Sequence, residues 1–101
     1  MNFETISLQE LYERMEEENT TVLDVRTKEE FESGHVPLAL NIPVQELEER
    51  LDELSKDQTY LVICRSGMRS QTASAILVEN GFSKSFNCEE GMMTWPYEVA
   101  F

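Results

Sequence analysis

Seven consecutive residues, Cys64-Arg65-Ser66-Gly67-Met68-Arg69-Ser70, bring together a thiol, two guanidinium groups, two hydroxyls and a glycine. The thiolate is the nucleophilic form of cysteine, and positive charge or N–H groups beside it lower the pKa that sets its supply. This stretch follows Tyr60-Leu61-Val62-Ile63, the most apolar run of the chain and the pattern of a buried strand. Behind it, Ser70 to Asn80 reads as a helix with Ala73, Ala75, Ile76 and Leu77 towards the core and Gly81 at its end. The seven residues therefore join the carboxyl end of a strand to the N-terminus of a helix. Successive N–H groups at such a junction form an anion-binding nest, reinforced by the helix dipole. With Gly67 free to curl and Arg65 and Arg69 on either side, the Cys64 thiol is expected to ionise near neutral pH.

The rest of the chain supplies the frame for this loop. Ser7-Leu8-Gln9-Glu10 has the spacing of a capping box, and Leu8, Leu11, Tyr12 and Met15 give the helical stripe that predicts a helix to about Glu18. Thr21 to Val25 is short, apolar and β-branched, hence a buried strand. Thr27-Lys28-Glu29-Glu30 repeats the capping pattern and opens a brief helix that Gly34 ends. Leu38 to Ile42 is a second strand candidate. Pro43 then precedes a predicted helix carrying Val44, Leu47, Leu51 and Leu54 on one face. A last strand is expected over Lys84 to Asn87 and a helical turn over Gly91 to Trp95. Strands alternating with helices predict an α/β fold with a central, mainly parallel sheet covered by helices on both faces.

Composition narrows the functional classes. The 101 residues fit one domain, residues 1–101, and a hydrophobic share of 41% is enough for a core. Twenty acids against eight Lys and Arg give a formal net charge of −12, which repels nucleic acid and anionic membrane surfaces. No window reaches the roughly 18 apolar residues of a membrane span, and Met1-Asn2-Phe3-Glu4 lacks the features of a signal peptide, so a cytoplasmic location is expected. The charge is uneven: residues 1–58 hold 16 acids and 5 bases, whereas the 21 residues from Gln58 to Val78 hold no acid and both loop arginines. A local positive pocket within an acidic shell attracts a small anion at short range. The glutamate-rich runs at 13–18 and 46–53 read as solvated helix faces. The two cysteines, Cys64 and Cys88, fit neither a disulfide framework nor a CxxC metal knuckle.

Taken together, these motifs resemble the single-domain rhodaneses, a family of sulfurtransferases, over nearly the full chain. The family's Asp-Val-Arg, Glu-Phe and Gly-His-Ile-Pro elements are matched by Asp24-Val25-Arg26, Glu30-Phe31 and Gly34-His35-Val36-Pro37. Asn41-Ile42-Pro43, the loop Cys64 to Ser70 and the closing Gly91-Met92-Met93-Thr94-Trp95 match further signatures. Two positions depart from the pattern: Leu38 stands where the family usually has Gly, and Glu90 replaces the first Gly of a closing pair. The family's phosphatase and arsenate-reductase relatives use a Cys-x5-Arg cradle. Here Cys64 and Arg69 are separated by four residues, which favours sulfur over a tetrahedral oxyanion.

The resemblance implies a cycle in which Cys64 attacks the outer sulfur of thiosulfate or a persulfide donor, becomes a persulfide, and passes the sulfur to cyanide or a thiol. The donor or acceptor could itself be a protein. The residues Arg65, Ser66, Gly67, Met68 and Arg69 would bind substrate, Arg65 and Arg69 through their guanidinium groups and Met68 at the mouth. Neither a metal nor an organic cofactor is implied. Ser70 is read either as a hydroxyl contact or as the helix cap, and Cys88 as a core filler, with a resolving thiol as the alternative. His35 is read as a hydrogen-bonded structural residue, and Asp24 with Arg26 as an internal ion pair. The rival readings are a non-catalytic interaction module, a phosphatase or arsenate reductase, and a redox switch through both cysteines.

Overall fold

The computed structural model describes residues 3–101. Five strands, β1 (Glu4–Ile6), β2 (Thr20–Asp24), β3 (Leu40–Asn41), β4 (Thr59–Ile63) and β5 (Ser85–Cys88), form one sheet in the order β1-β5-β4-β2-β3. Every pairing is parallel. Three α-helices, α1 (Leu8–Arg14), α2 (Lys28–Glu32) and α3 (Met68–Glu79), join these strands together with 3-10 segments at Val44–Glu46, Glu48–Glu53 and Met92–Thr94. The predicted α/β class, parallel sheet and helices on both faces are all present.

Alternation along the strands divides the apolar residues between two layers. One face carries Leu23, Val25, Tyr60, Val62 and Cys64 against Ala73 and Leu77 of α3 and Leu47, which joins the first two 3-10 segments. The other carries Val22, Leu61, Ile63 and Cys88 against Leu8 and Leu11 of α1, with Met92 and Trp95 at its margin. Because successive strand side chains point to opposite faces, Cys64, next after Ile63, lies on the α3 side.

Several elements differ from the sequence expectation. Strand β1 was not anticipated, since three residues carry no readable period; pairing of Glu4, Thr5 and Ile6 with Phe86, Asn87 and Cys88 creates it. Helix α1 ends at Arg14 rather than near Glu18. Glu16, Glu17 and Glu18 would place negative charge on the negative end of the helix dipole, and Asn19 turns the chain at φ 59°. The helix expected after Pro43 is two 3-10 segments with a break at Arg50. Val44 and Leu47, and again Leu51 and Leu54, are three residues apart, the repeat of a 3-10 turn, so tight winding still lays them on the core. Strand β3 is shorter than Leu38 to Ile42 because Leu38 takes a left-handed φ of 67° with its side chain 98% exposed. A glycine would adopt that conformation without strain, which accounts for the family's usual residue at this position.

Candidate active site

The Cys64 loop is held in place from below by its own termini and from the side by the chain's last turn. Strand β4 runs buried from Tyr60 onwards into Cys64, which is 1% exposed. Helix α3 begins at Met68 with Gly67 as its N-cap at φ 97°. A side chain at Gly67 would strike the carbonyl of Glu89, so both its backbone angle and its surroundings require glycine. Met92 and Met93 donate backbone N–H bonds to the carbonyls of Cys64 and Arg65 at 2.9 and 3.0 Å. Gly91 permits this docking, because a Cβ there would collide with the Cys64 and Arg65 backbone. Glu90 is exposed and has an ordinary φ, which explains why it can replace a glycine without disturbing the loop.

Inside this turn, Cys64 Sγ accepts N–H bonds from Gly67 at 3.1 Å and Ser70 at 3.4 Å. Burial alone raises the thiol's pKa. The hydroxyl and N–H of Ser70 and the N–H groups of Gly67 and Ser66 outweigh it, so the pKa falls below the ordinary value. Of the N–H nest, helix dipole and two arginines expected from the sequence to acidify this thiol, it is the hydrogen bonds within the loop that lower the pKa. Ser70 is not the helix cap; it is fully buried, and its one hydroxyl proton has two acceptors in reach, Cys64 Sγ and the Cys88 carbonyl at 3.4 Å.

The other loop residues take different positions. Arg65, Ser66 and Met68 are exposed, Met68 at 75%. Arg65 lines a cavity of about 300 Å³ with Arg26, Glu30, Ser33, Met92 and Met93. Arg69 turns to Glu30, donating through Nη1 and Nη2 to the two carboxylate oxygens at 2.6 and 2.9 Å. Glu30 is itself fixed by the reciprocal capping box with Thr27. Arg69 holds its carboxyl at a pKa of about 2. Arg69 is expected from the sequence to bind substrate through its guanidinium group; its partner in the structure is the Glu30 carboxylate, 39 positions away on α2. Glu30 escaped attention because its capping role already explained it. A second acceptor oxygen left over by the cap was the available signal.

The remaining sequence readings resolve clearly. Arg26 donates to both oxygens of the fully buried Asp24 carboxylate at distances down to 2.7 Å, and also to the Gly34 carbonyl. Asn41 bridges the carbonyls of Asp24 and Arg26 at 3.0 Å each, tying β2 to β3. His35 stacks on Phe31 with ring centroids 3.7 Å apart, and its Nδ1 pairs with the Phe31 carbonyl at 2.8 Å. Both are structural. Cys88 is fully buried in the opposite layer from Cys64, both thiols are free, and burial pushes the Cys88 thiol up to about 12. It fills the core as expected. A cavity of about 550 Å³ beside Lys28, Phe31, His35 and Arg50 includes no residue of the Cys64 loop.

A thiol acidified by N–H groups at the carboxyl end of a parallel sheet is the arrangement of a rhodanese, and comparison with known proteins agrees. The family model described as Rhodanese-like domain matches residues 7–97, and the chain belongs to that family. It is 41% identical over 100 residues to the Bacillus subtilis (strain 168) protein named "Putative sulfurtransferase YtwF", covering 98% of this chain and 96% of that one. It is 28% identical over 95 residues to "Thiosulfate sulfurtransferase GlpE" of Pseudoalteromonas translucida (strain TAC 125), covering 94% and 90%. The crystal structure of a rhodanese-related protein from Thermoplasma volcanium superposes with a TM-score of 0.88 at 35% identity, covering 97% and 98% of the two chains.

Proposed function

We propose that this protein is a sulfurtransferase that carries a sulfane sulfur on Cys64 from thiosulfate or a persulfide donor to cyanide or a thiol acceptor. The observation that carries the proposal is the seat of Cys64, a buried sulfur that accepts N–H bonds from Gly67 and Ser70 at a strand-to-helix junction. In the first step the thiolate attacks the outer sulfur of thiosulfate. A new S–S bond forms at Sγ, the original S–S bond breaks, and sulfite leaves with the electron pair. The persulfide's terminal sulfur carries the charge that the thiolate brought. The N–H groups of residues 65–69 are suited to hold it, in the manner of an oxyanion hole. Cyanide or a second thiolate then attacks that terminal sulfur, giving thiocyanate or a new persulfide and restoring the Cys64 thiolate.

The names of the relatives support the reaction class, and the Pseudoalteromonas name supports thiosulfate as one donor. Arg65 is suited to attract an anionic donor from solvent, and Ser66, Gly67 and Arg69 shape the nest. Among the described residues, no helix is long and apolar enough to cross a membrane. A free nucleophilic thiol suits a reducing compartment such as the cytoplasm. Intact mass spectrometry tests the proposal: thiosulfate adds one sulfur atom to Cys64, and cyanide removes it with release of thiocyanate. A free Cys64 that gains no sulfur from thiosulfate or from a small persulfide would overturn the reading.

A further inference from the structure

Three arginines stand around the candidate active site, and two of them are already engaged. Arg26 is closed onto Asp24 and Gly34 in the buried clamp. Arg69, the last cation of the loop, is gripped at both ends by Glu30, whose Oε1 is further anchored by the Thr27 N–H at 3.0 Å and hydroxyl at 3.1 Å. Among the described residues, Arg65 forms no ion pair. Glu30 and Arg65 line one cavity beside the loop together with Met92 and Met93, and Arg65 lines a second with Ser66 and Glu90. Among the described residues, the surface beside the loop therefore offers Arg65 as a cation outside any ion pair, Glu90 as a free carboxylate, the mutually neutralised Arg69–Glu30 pair, and thioether surface. With a single cation outside an ion pair, that balance favours a donor with one charge or none and an apolar stem over a dianion.

We infer that Glu30 is a specificity-determining residue: by holding the Arg69 guanidinium at both ends it withholds that cation from an incoming donor, and so disfavours dianionic donors such as thiosulfate relative to weakly charged alkyl persulfides. This rests on the sulfur-transfer reading above and refines its donor class. With a persulfide the step is balanced in the same way. The Cys64 thiolate attacks the outer sulfur of R–S–SH, the Sγ–S bond forms as the old S–S bond breaks, and R–S⁻ leaves. The pair is a charge-assisted bidentate contact on groups about one-third exposed, strong enough to keep Arg69 from an incoming anion without an exchange of partners.

The test compares two donors, thiosulfate and N-acetylcysteamine hydropersulfide, whose stem is uncharged, by kcat/KM with the parent protein and with Glu30→Gln. Glutamine still serves the capping box, so α2 is retained. Releasing Arg69 should raise kcat/KM for thiosulfate by about tenfold, the scale of one charged hydrogen bond, while the persulfide changes by less than about threefold. Adding Arg69→Gln to Glu30→Gln should abolish most of that gain. Glu30→Ala, checked for folding by circular dichroism, should shift the donor ratio in the same direction. A ratio that stays fixed, or moves towards the persulfide, in the folded Glu30 variants overturns the role of Glu30. If the parent takes sulfur from neither donor, it is the sulfur-transfer reading that fails.

Discussion

Cys64 and Cys88 end adjacent parallel strands, both have less than 2% of their surface exposed, and both are free, yet burial leads to opposite outcomes. At Cys88 it governs: a single N–H, from Glu90, does not offset desolvation, and the thiol keeps its proton to about pH 12. At Cys64 the same penalty is met by the hydroxyl of Ser70 and a set of converging N–H groups, and the thiol is more acidic than usual. A buried cysteine becomes a nucleophile when donors reach its sulfur, whatever its exposure. The register decides which cysteine receives them. Val62 pairs with Asn87, so Cys64 lies one residue beyond the partner of Cys88 and faces the other layer, where the chain curls over it into α3.

The most severe way to test this contrast is to delete each sulfur. Cys64→Ser should lower sulfur transfer by at least about a thousandfold with the fold intact, as removal of a nucleophile does. Cys88→Ala should leave transfer within about twofold and cost about 1–2 kcal/mol in stability, read from urea midpoints, because it only opens a small cavity. Transfer lost in both would make Cys88 a participant.

Removing the donors instead of the sulfur should turn Cys64 towards the behaviour of Cys88. Gly67→Ala forces a side chain into a left-handed backbone and against Glu89. Displacing the Gly67 N–H from Sγ should slow Cys64 alkylation at neutral pH by about tenfold and destabilise the fold by on the order of 2 kcal/mol. An unchanged alkylation rate in a folded variant would show that this N–H is not among the groups that acidify the thiol.

Alkaline pH sharpens the comparison through stability. The folded state holds the Cys88 proton to about pH 12, while the unfolded chain releases it near the ordinary value of about 8.5. The stability this contributes is complete below that ordinary value and declines as pH rises towards 12. Cys64 has the opposite sign: its lowered folded pKa adds stability above the ordinary thiol value, lost as pH falls through the folded one. Between about pH 8 and about pH 10, Cys88→Ala should therefore lose less of its urea midpoint than the parent. Equal losses would argue that the Cys88 proton is not held by folding.

The smallest effect belongs to a control far from both sulfurs. Leu38→Gly relieves a left-handed backbone at an almost wholly exposed position and should stabilise by about 0.5–1 kcal/mol, raising Tm without altering either thiol's reactivity. A change in Cys64 alkylation would mean that local stability and thiol chemistry are coupled.

What the sequence alone determined about this protein is what neighbouring residues settle between themselves. The Thr27–Glu30 box, the apolar run entering Cys64, the glycine at 67 and the four-residue spacing to Arg69 act over a few positions, and all were readable without coordinates. The core residues of the 44–54 segment were also legible, although its winding was not, since one apolar spacing serves either a helix or 3-10 turns. Tertiary structure decided the rest. It created β1 from three residues that have no strand pattern of their own and placed the two cysteines on opposite faces. It also carried Glu30 across 39 positions of sequence to Arg69 and brought Gly91 against the back of the Cys64 loop. These arrangements follow from strand order and register, which arise from the burial of the two faces together, and no short window of the chain contains that information.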